Sequence, residues 1–236
     1  MNAKPPDGPT VLRAVSSMAT APLLRSLLSD YRHGGGQTVE LVSIGGVDAL
    51  RRVQDGEHFD LVVLASDAIE RLFHSNHVLS GSRVELVRSN VAVAVPVGAP
   101  HPDIGSEQAL RATVLAAARI GYSTGPSGAG LLSLLQRWGI GEQMRERLVQ
   151  AKPGLPVGSL VAGGQVTLGF QQLSELQRLP GIEVLGELPA SCAIETTFSG
   201  AICSAARQPA EAGTLLAYLH SPETAPIKRQ HGMAPA

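Results

Sequence analysis

A loop of small residues in the second half of the chain has the composition of an anion-binding site. Residues 121–130 read Gly-Tyr-Ser-Thr-Gly-Pro-Ser-Gly-Ala-Gly, between a predicted strand and a predicted helix. Small side chains let backbone N–H groups approach a ligand closely, and the positive end of the following helix favours an anion. A plain glycine-rich turn has the same composition. If the loop binds an anion, its ligand-binding residues are Ser123, Thr124, Ser127 and Gly128.

Hydroxyl side chains follow two of the strands predicted in the first third of the chain. Ser16 and Ser17 come after the first of these strands, and Ser66 comes after the third. The carboxyl ends of parallel strands share one edge of an open α/β sheet, and ligands bind at that edge. These serines can donate hydrogen bonds to an oxyanion, although capping the next helix is the commoner role of serine at such a position.

A short polar segment follows another predicted strand. Residues 169–176 read Gly-Phe-Gln-Gln-Leu-Ser-Glu-Leu. Two amides (Gln171 and Gln172), a hydroxyl (Ser174) and a carboxylate (Glu175) therefore lie together where a buried strand ends. Polar side chains at such a position fix the orientation of a small ligand. A solvated turn in which Ser174 caps a helix is the equally favoured alternative.

Other chemistries are poorly supported by the sequence. Residues 121–125 match the Gly-x-Ser-x-Gly pattern of serine hydrolases, but an elbow needs a helix directly after the serine, and no aspartate follows Ser123. His74 and His77 have a metal-ligand spacing without an evident third ligand, so we expect no metal site. The glycine patterns that bind dinucleotides or nucleotide phosphates do not occur, so we expect neither a dinucleotide site nor a P-loop.

The strands and helices that must position these residues alternate along the chain. Three βα units within the first 75 residues or so predict an open, mostly parallel sheet. Their strands are expected at 11–15, 38–43 and 60–65, with helices at 21–31, 47–54 and 66–73. A second alternating region begins with the apolar strand 91–97, and it continues with strands 119–122, 167–170 and 183–185 and helices 131–138, 156–162 and 173–176. An apolar β-prone segment at 197–205 and a helix at 209–219 are expected to return to the first region. The sequence thus predicts an α/β protein of two lobes, residues 10–92 with 198–236 and residues 93–197.

Composition limits the class of partner. Lysine and arginine number 19 and aspartate and glutamate 20, a net charge of −1, and aromatic residues make up 3% of the 236 residues. A chain without excess positive charge and with few aromatic faces is a poor partner for nucleic acid. Apolar runs of about ten residues are too short to span a bilayer, which needs about twenty. We therefore expect a small anionic ligand, no nucleic acid and no membrane span.

Cys192 and Cys203 are expected to be buried small apolar residues.

The first ten residues, Met-Asn-Ala-Lys-Pro-Pro-Asp-Gly-Pro-Thr, carry one lysine and no apolar stretch. This composition is not that of a secretory leader, so the sequence as written predicts a cytoplasmic protein. If a leader has been removed, the protein would be periplasmic.

The order of these parts resembles the type II periplasmic binding proteins, in particular the molybdate-binding proteins of ABC transporters. The resemblance rests on Ser16 and Ser17, the apolar strands at 59–64 and 91–96, Gly121-Tyr122-Ser123 and Gly169-Phe170. A more specific set of segments resembles the aconitate isomerases, enzymes built on the same fold. These segments are Ser-Arg-Val-Glu-Leu at 82–86, Pro-Val-Gly at 156–158, residues 168–176 and Pro-Gly-Ile-Glu-Val-Leu-Gly at 180–186. Molybdate-binding proteins lack the two glutamines and the Ser-Glu-Leu.

The resemblance implies a ligand cleft between two lobes, each a mostly parallel sheet flanked by helices, that close on a hinge. It also implies an isomerase of a small unsaturated di- or tricarboxylate that works without a cofactor. Such an enzyme moves a proton between two allylic carbons, so it needs donors aimed at a carboxylate and a base close to the carbon. The loops 16–18 and 123–128 suit the first need, with Met18 and Val157 as further contacts. Glu175 is the first candidate for the base, because closure would desolvate it, and Tyr122 is the second.

Two alternatives and one further contact stay open at this point. Arg83 could hold a substrate carboxylate, or it could form a surface salt bridge. The protein could be a solute receptor for molybdate, another oxyanion or an organic acid, in which case its partner would be an ABC permease. A cytoplasmic ligand sensor would need a DNA-binding segment, and no basic helix-turn-helix pattern is present.

Overall fold

A computed structural model describes residues 11–236. The proline-rich start of the chain, including residue 10 of the first expected lobe, lies outside the described residues. The structure therefore does not bear on the expectation that there is no leader. Across residues 11–236, we find no helix with the length and apolar character that a membrane span requires.

Within residues 11–236, the chain forms ten strands and ten α-helices. The strands are β1 (Leu12–Ser17), β2 (Val39–Ile44), β3 (Leu61–Ala65), β4 (Val84–Pro96), β5 (Ile120–Tyr122), β6 (Leu148–Gln150), β7 (Leu168–Gln172), β8 (Ile182–Glu187), β9 (Glu195–Ile202) and β10 (Ala234–Pro235). The helices are α1 (Ala21–His33), α2 (Gly46–Gln54), α3 (Ser66–His74), α4 (Glu107–Ala116), α5 (Pro126–Arg137), α6 (Gly141–Met144), α7 (Val157–Ala162), α8 (Leu173–Leu176), α9 (Pro209–His220) and α10 (Ala225–Gln230). Short 3₁₀ turns cover Met18–Thr20, Arg145–Arg147, Ala190–Cys192 and Pro222–Thr224.

The strands follow the order β2-β1-β3-β9-β4-β7-β5-β6, and β8 and β10 also pair with β4. Strands β2, β1 and β3 are parallel to one another, and so are β7, β5 and β6. The two parallel groups are joined through the antiparallel strands β9 and β4. The predicted two-lobed α/β fold is confirmed, with a parallel group of strands in each lobe.

Strand β4 belongs to both lobes. Its first part, up to Asn90, pairs with β9, and from Val91 onwards it pairs with β7 and β8. The chain returns to the first lobe beside this point of β4. Immediately before β9 begins, the carbonyl oxygen of Ile194 accepts a hydrogen bond from the Val91 N–H at 2.9 Å. Two strands therefore cross between the lobes side by side. We propose residues 10–92 with 198–236 and residues 93–197 as the lobes, with boundaries close to these crossings.

Each lobe has an apolar layer on both faces of its sheet. In β3 all five residues are buried, and alternate side chains enter two different core clusters. One cluster also contains Leu24 of α1 and Leu215 of α9, and the other contains Ile69 of α3. A continuous apolar run of this kind is typical of a strand in a sheet that is covered on both faces, as the packing of β3 shows.

The structure moves the starts of two predicted elements by several residues, and it adds three helices (α4, α6 and α10) and two strands (β6 and β10). Strand β4 begins at Val84 rather than Val91, because the antiparallel strand β9 extends the pairing in that direction. Helix α5 begins at Pro126 rather than Leu131. Proline suits the first turn of a helix, and packing overrides the low helix propensity of glycine. Helix α4 was not predicted, although Ser106 caps it by accepting the Ala109 N–H at 3.1 Å.

A buried carboxylate fastens both ends of the first lobe. Asp60 is completely buried at the start of β3 and accepts hydrogen bonds from the backbone N–H groups of Arg13 (2.9 Å), Arg207 (2.8 Å) and Gln208 (3.2 Å). Arg13 lies in β1, whereas Arg207 and Gln208 lead into α9. The side chain thus holds the returning segment against the first strand.

We predict that Asp60→Ala lowers the free energy of unfolding by about 2–3 kcal/mol, because it leaves three partly buried N–H donors without their acceptor. Urea denaturation followed by circular dichroism measures this loss. Asp67→Ala, at an exposed aspartate of the same lobe, is the matched control. A loss as small as that of the control would show that the three bonds contribute little.

Candidate functional site

A cleft of about 430 Å³ lies between the lobes, within the volume range of small-ligand sites. The first lobe lines it at the carboxyl ends of β1, β2 and β3, and the second lobe does so at the ends of β5, β6 and β7. The lining residues are Ser17, Met18, Ala19, Gly45, Gly46, Val47, Leu64, Ala65, Asp67, Ala68, Arg71 and Phe198 from the first lobe, and Ser123, Thr124, Gly125, Pro126, Ser127, Ala129, Lys152, Gly154, Leu155, Gln171, Gln172 and Glu175 from the second.

The rim of the first lobe forms where β1 ends. Ser17 lines the cleft, and its hydroxyl is hydrogen-bonded to that of Thr20 at 3.3 Å. Ser16 is fully buried behind the rim, where its hydroxyl donates to the Ser17 carbonyl oxygen (3.1 Å) and bonds the Ser43 hydroxyl (2.9 Å). Of the two predicted serines, Ser17 is thus in position to contact a ligand, and Ser16 holds the ends of β1 and β2 together.

The opposite rim is the predicted small-residue loop. The hydroxyls of Ser123 and Ser127 are 2.7 Å apart, and Ser123 Oγ accepts the Gly125 N–H at 3.2 Å. Both serines and Thr124 line the cleft, at the start of the 12-residue helix α5. Gly128 lies behind them, where a Cβ atom would be 1.9 Å from the Ser123 carbonyl oxygen. Only glycine permits this close approach of the loop to the helix.

Glu175 lies at the base of the cleft. Gln171 uses both ends of its amide to position it: Oε1 accepts the Val157 N–H at 2.7 Å, and Nε2 donates to Glu175 Oε1 at 2.8 Å. Burial raises the pKa of Glu175 to about 7, and the hydrogen bond from Gln171 opposes part of this rise. Glu175 lines the cleft, and with this pKa its carboxyl group ionises close to neutral pH.

The other two polar residues of this segment have different partners. Gln172 is buried against the cleft, where Nε2 donates to Thr196 Oγ1 at 2.8 Å. Its Oε1 has no hydrogen-bond partner among residues 11–236. Turning the amide over would let Thr196 donate to Oε1 and leave Nε2 free to donate to an anion. Ser174 does not line the cleft, because its hydroxyl donates to the Ala19 carbonyl oxygen of the first lobe at 3.0 Å.

Three more predicted site residues lie behind the cleft surface. Ser66 starts α3 and bonds the Ser199 hydroxyl at 2.7 Å. Tyr122 precedes the small-residue loop, and its carbonyl oxygen accepts the Ala151 N–H at 2.8 Å. Val157 is buried and supplies the N–H that orients Gln171. These residues support the lining rather than form it.

Arg83 lies outside the cleft. Its guanidinium pairs with Glu70 and, at 3.6 Å, with Glu85 at the surface of the first lobe. The expected contact with a substrate carboxylate is therefore corrected in favour of a surface salt bridge, because both neighbouring carboxylates already bind this arginine.

The structure adds two cations that the sequence analysis did not identify. Arg71 of α3 and Lys152 of the loop after β6 both line the cleft, from opposite lobes. Lys152 begins the sequence Lys-Pro-Gly-Leu, a turn pattern that was a usable signal. No sequence pattern marks Arg71 as a cleft residue, because its position in the lining depends on how α3 packs against the sheet.

No cluster of three or more histidine, cysteine, aspartate or glutamate side chains suited to a metal ion occurs in the described part of the chain. His74 pairs with Glu70 at 3.2 Å, and His77 bonds the Ser75 hydroxyl and the Gln54 carbonyl oxygen at 2.9 and 3.0 Å. Both histidines thus have partners of their own at the surface.

Comparison with known proteins extends over nearly the whole chain. Residues 12–234 match the family described as bacterial extracellular solute-binding protein. An aconitate isomerase of a Pseudomonas species is 33% identical over 235 residues, which cover 96% of this chain and 88% of that protein.

Among solved structures, the periplasmic molybdate-binding protein of Azotobacter vinelandii is similar, with a TM-score of 0.79 at 20% identity over 94% of this chain and 98% of that one. The sulfate-binding protein SubI of Mycobacterium tuberculosis has a TM-score of 0.79 at 17% identity over 96% of this chain and 87% of its own. At these identities the likeness shows the fold alone.

The raised pKa of Glu175 predicts that stability depends on pH at this residue. The native protein keeps the proton up to a pH of about 7, whereas the unfolded chain releases it near 4.5, so native stability falls as pH rises between these values. Glu175→Gln has no proton to lose. We expect the stability of the wild type relative to Glu175→Gln to fall by up to about 3 kcal/mol across this range.

Urea denaturation at a series of pH values measures this difference. Glu146→Gln, at an exposed glutamate of the same lobe, controls for the loss of one negative charge. Parallel stability curves for the wild type and Glu175→Gln would contradict the raised pKa.

Proposed function

The chain belongs to the family of bacterial extracellular solute-binding proteins, and we propose that within this family it is a cofactor-free isomerase of a small unsaturated polycarboxylate. The reaction is a 1,3-allylic proton shift of the kind that interconverts the isomers of aconitate. The 33% identity to an aconitate isomerase over nearly the whole chain supports this assignment. The observation that carries the proposal is the Glu175 carboxyl group, which Gln171 holds in a cleft that hydroxyl groups of both lobes also line.

A receptor for an anion gains nothing from a carboxylate beside its ligand, because two like charges at close range repel. Glu175 avoids part of this cost through its raised pKa of about 7. A general base is most effective when its pKa lies near the working pH. The position and the pKa of Glu175 thus suit proton transfer better than simple binding.

In the proposed reaction, the Glu175 carboxylate removes a proton from the allylic methylene. The electron pair of the broken C–H bond forms a new double bond to the neighbouring carbon, and the electrons of the original double bond move onto the far allylic carbon and its conjugated carboxylate. The protonated Glu175 then returns a proton to the carbon two positions away, and the double bond shifts by one position. The proton and the electron pair are both conserved, so neither an oxidant nor a cofactor is required.

The developing charge needs donors that are already in place. The Ser123 and Ser127 hydroxyls, the start of α5 and the Ser17 rim line the same cleft as Glu175. Gln171 acts as a positioning residue, because its hydrogen bond fixes the rotamer of Glu175. Tyr122 lies behind the loop, so Glu175 is the base in this proposal.

A solute receptor is the second candidate. The family match and the neutral Ser123 and Ser127 hydroxyls favour it, since hydroxyl and amide dipoles suffice to hold an oxyanion or organic acid. Under this alternative an ABC permease is the partner, the protein acts outside the cytoplasmic membrane, and the ligand is recovered unchanged. A thermal-shift panel of molybdate, sulfate, aconitate and itaconate identifies the ligand class, because a ligand that prefers the native state raises Tm.

We predict that the protein interconverts cis- and trans-aconitate or a close analogue, which proton NMR follows directly. Glu175→Gln is expected to lower kcat by about 10²- to 10⁴-fold, because it removes the base. In the wild type, kcat/KM is expected to rise as Glu175 ionises around a pH of about 7.

Two controls make the result specific. Glu146→Gln removes an exposed carboxylate of the same lobe and should leave kcat unchanged. Glu175→Gln is expected still to bind the acid, which calorimetry measures, so that a loss of kcat reports the missing base. Binding without turnover in the wild type, across the panel of unsaturated acids, would favour the receptor.

A further inference from the structure

We propose that Arg71 and Lys152 bind two separate carboxylates of the ligand from opposite sides of the cleft, and thereby select a polycarboxylate over a compact oxyanion. This inference rests on the proposed function, because it names the residues that define the substrate class at the same site. It concerns recognition, and Glu175 performs the chemistry.

Arg71 is available to a ligand. It lies in the second turn of α3, lines the cleft, and is paired with Asp67 at 3.4 Å. The two side chains are 60% and 71% exposed, and an exposed pair four residues apart in a helix contributes only about 0.3–0.5 kcal/mol. A ligand carboxylate can therefore displace Asp67 and bind the planar guanidinium through two parallel hydrogen bonds.

Lys152 is presented by a rigid turn. The Leu155 N–H donates to the Lys152 carbonyl oxygen at 3.0 Å, and Gly154 has a φ of +81°. With Pro153 before this glycine, the four residues match a type II turn. Proline and glycine in such a turn limit the conformations of the segment that carries the lysine.

Both ends of the lysine segment are hydrogen-bonded to segments that carry the proposed site. Before the turn, the Ala151 N–H donates to the carbonyl oxygen of Tyr122, which directly precedes the Ser123 loop. After the turn, the Val157 N–H donates to Gln171, which holds Glu175. The backbone at Lys152 is therefore tied to both the Ser123 loop and the segment that carries Glu175.

The charges of the lining fit a ligand with separated anionic groups. Its ionisable side chains are Asp67, Arg71, Lys152 and Glu175, with one cation in each lobe. A tetrahedral oxyanion is compact, and the hydroxyls of the serine loop can surround it. A di- or tricarboxylate places its charges at the ends of a carbon chain, so one carboxylate occupies the serine loop and the others need cations farther out.

Isothermal calorimetry with propane-1,2,3-tricarboxylate tests the proposal. This saturated acid carries three carboxylates and has no double bond, so its binding is measured without turnover. Arg71→Gln and Lys152→Gln are each expected to weaken its binding about 10- to 30-fold, as the loss of a charge-assisted contact implies. Asp67→Asn is expected to tighten binding two- to threefold, at roughly the scale of a weak surface pair. Sulfate or molybdate binding should change less than about twofold in all three variants.

Arg83→Gln and Arg145→Gln, which remove cations that lie outside the cleft, are the matched controls and should leave all affinities unchanged. Thermal melting verifies that each variant is folded. The proposal is overturned if Arg71→Gln and Lys152→Gln bind the tricarboxylate as the wild type does, if they lose affinity for sulfate to the same extent, or if the wild type binds no tricarboxylate.

The proposed function is tested separately by turnover of aconitate. A wild type that binds the tricarboxylate through both cations without isomerising any acid supports the selection and refutes the isomerase. If Arg71→Gln and Lys152→Gln both isomerise the acid with unchanged KM, the isomerase is supported and selection by the two cations is refuted.

Discussion

A carboxyl group at the base of the cleft places the strongest constraint on this molecule, since the anionic ligand that we propose would carry the same charge as this side chain. The protein resolves the conflict through burial, which raises the pKa of Glu175 to about 7, and through the Gln171 amide, which holds the group in one orientation. The amide in turn depends on the Val157 N–H at the start of α7. The Gln171 side chain thus links Glu175 to the start of α7, and Gln171 itself belongs to strand β7.

The fold was largely predictable from the sequence because its signals are local. The apolar run of β3 and the βα alternation gave both lobes and the edge of the sheet where the cleft lies. The start of α5 was harder, because Pro126, Ser127 and Gly128 have low helix propensity and only packing against Ser123 places them in a helix. The early start of β4 likewise depends on pairing with β9, which is distant in sequence.

The candidate site was predictable where a polar residue lies within a few residues of the carboxyl end of a strand. Ser17, Ser123, Gln171 and Glu175 all satisfy that rule and all reach the cleft. Arg71 does not, because it lies on the second turn of its helix and enters the lining only through the position of α3. Ser16 and Ser174 satisfy the rule, yet their hydroxyls are already used within the protein. Proximity to a strand end therefore predicts location better than it predicts which atoms remain free.

The bond from Ser174 to the Ala19 carbonyl oxygen crosses from one lobe to the other within a few residues of Glu175. Any opening of the lobes that preserves this bond must keep the Ser174 and Ala19 segments in contact, so the gap can widen only on the side away from them. Product would then leave by that side while the base keeps its register with the Ser17 rim. In such an arrangement the rate of product escape and the rate of proton transfer are set by different parts of the chain, and each could change without disturbing the other.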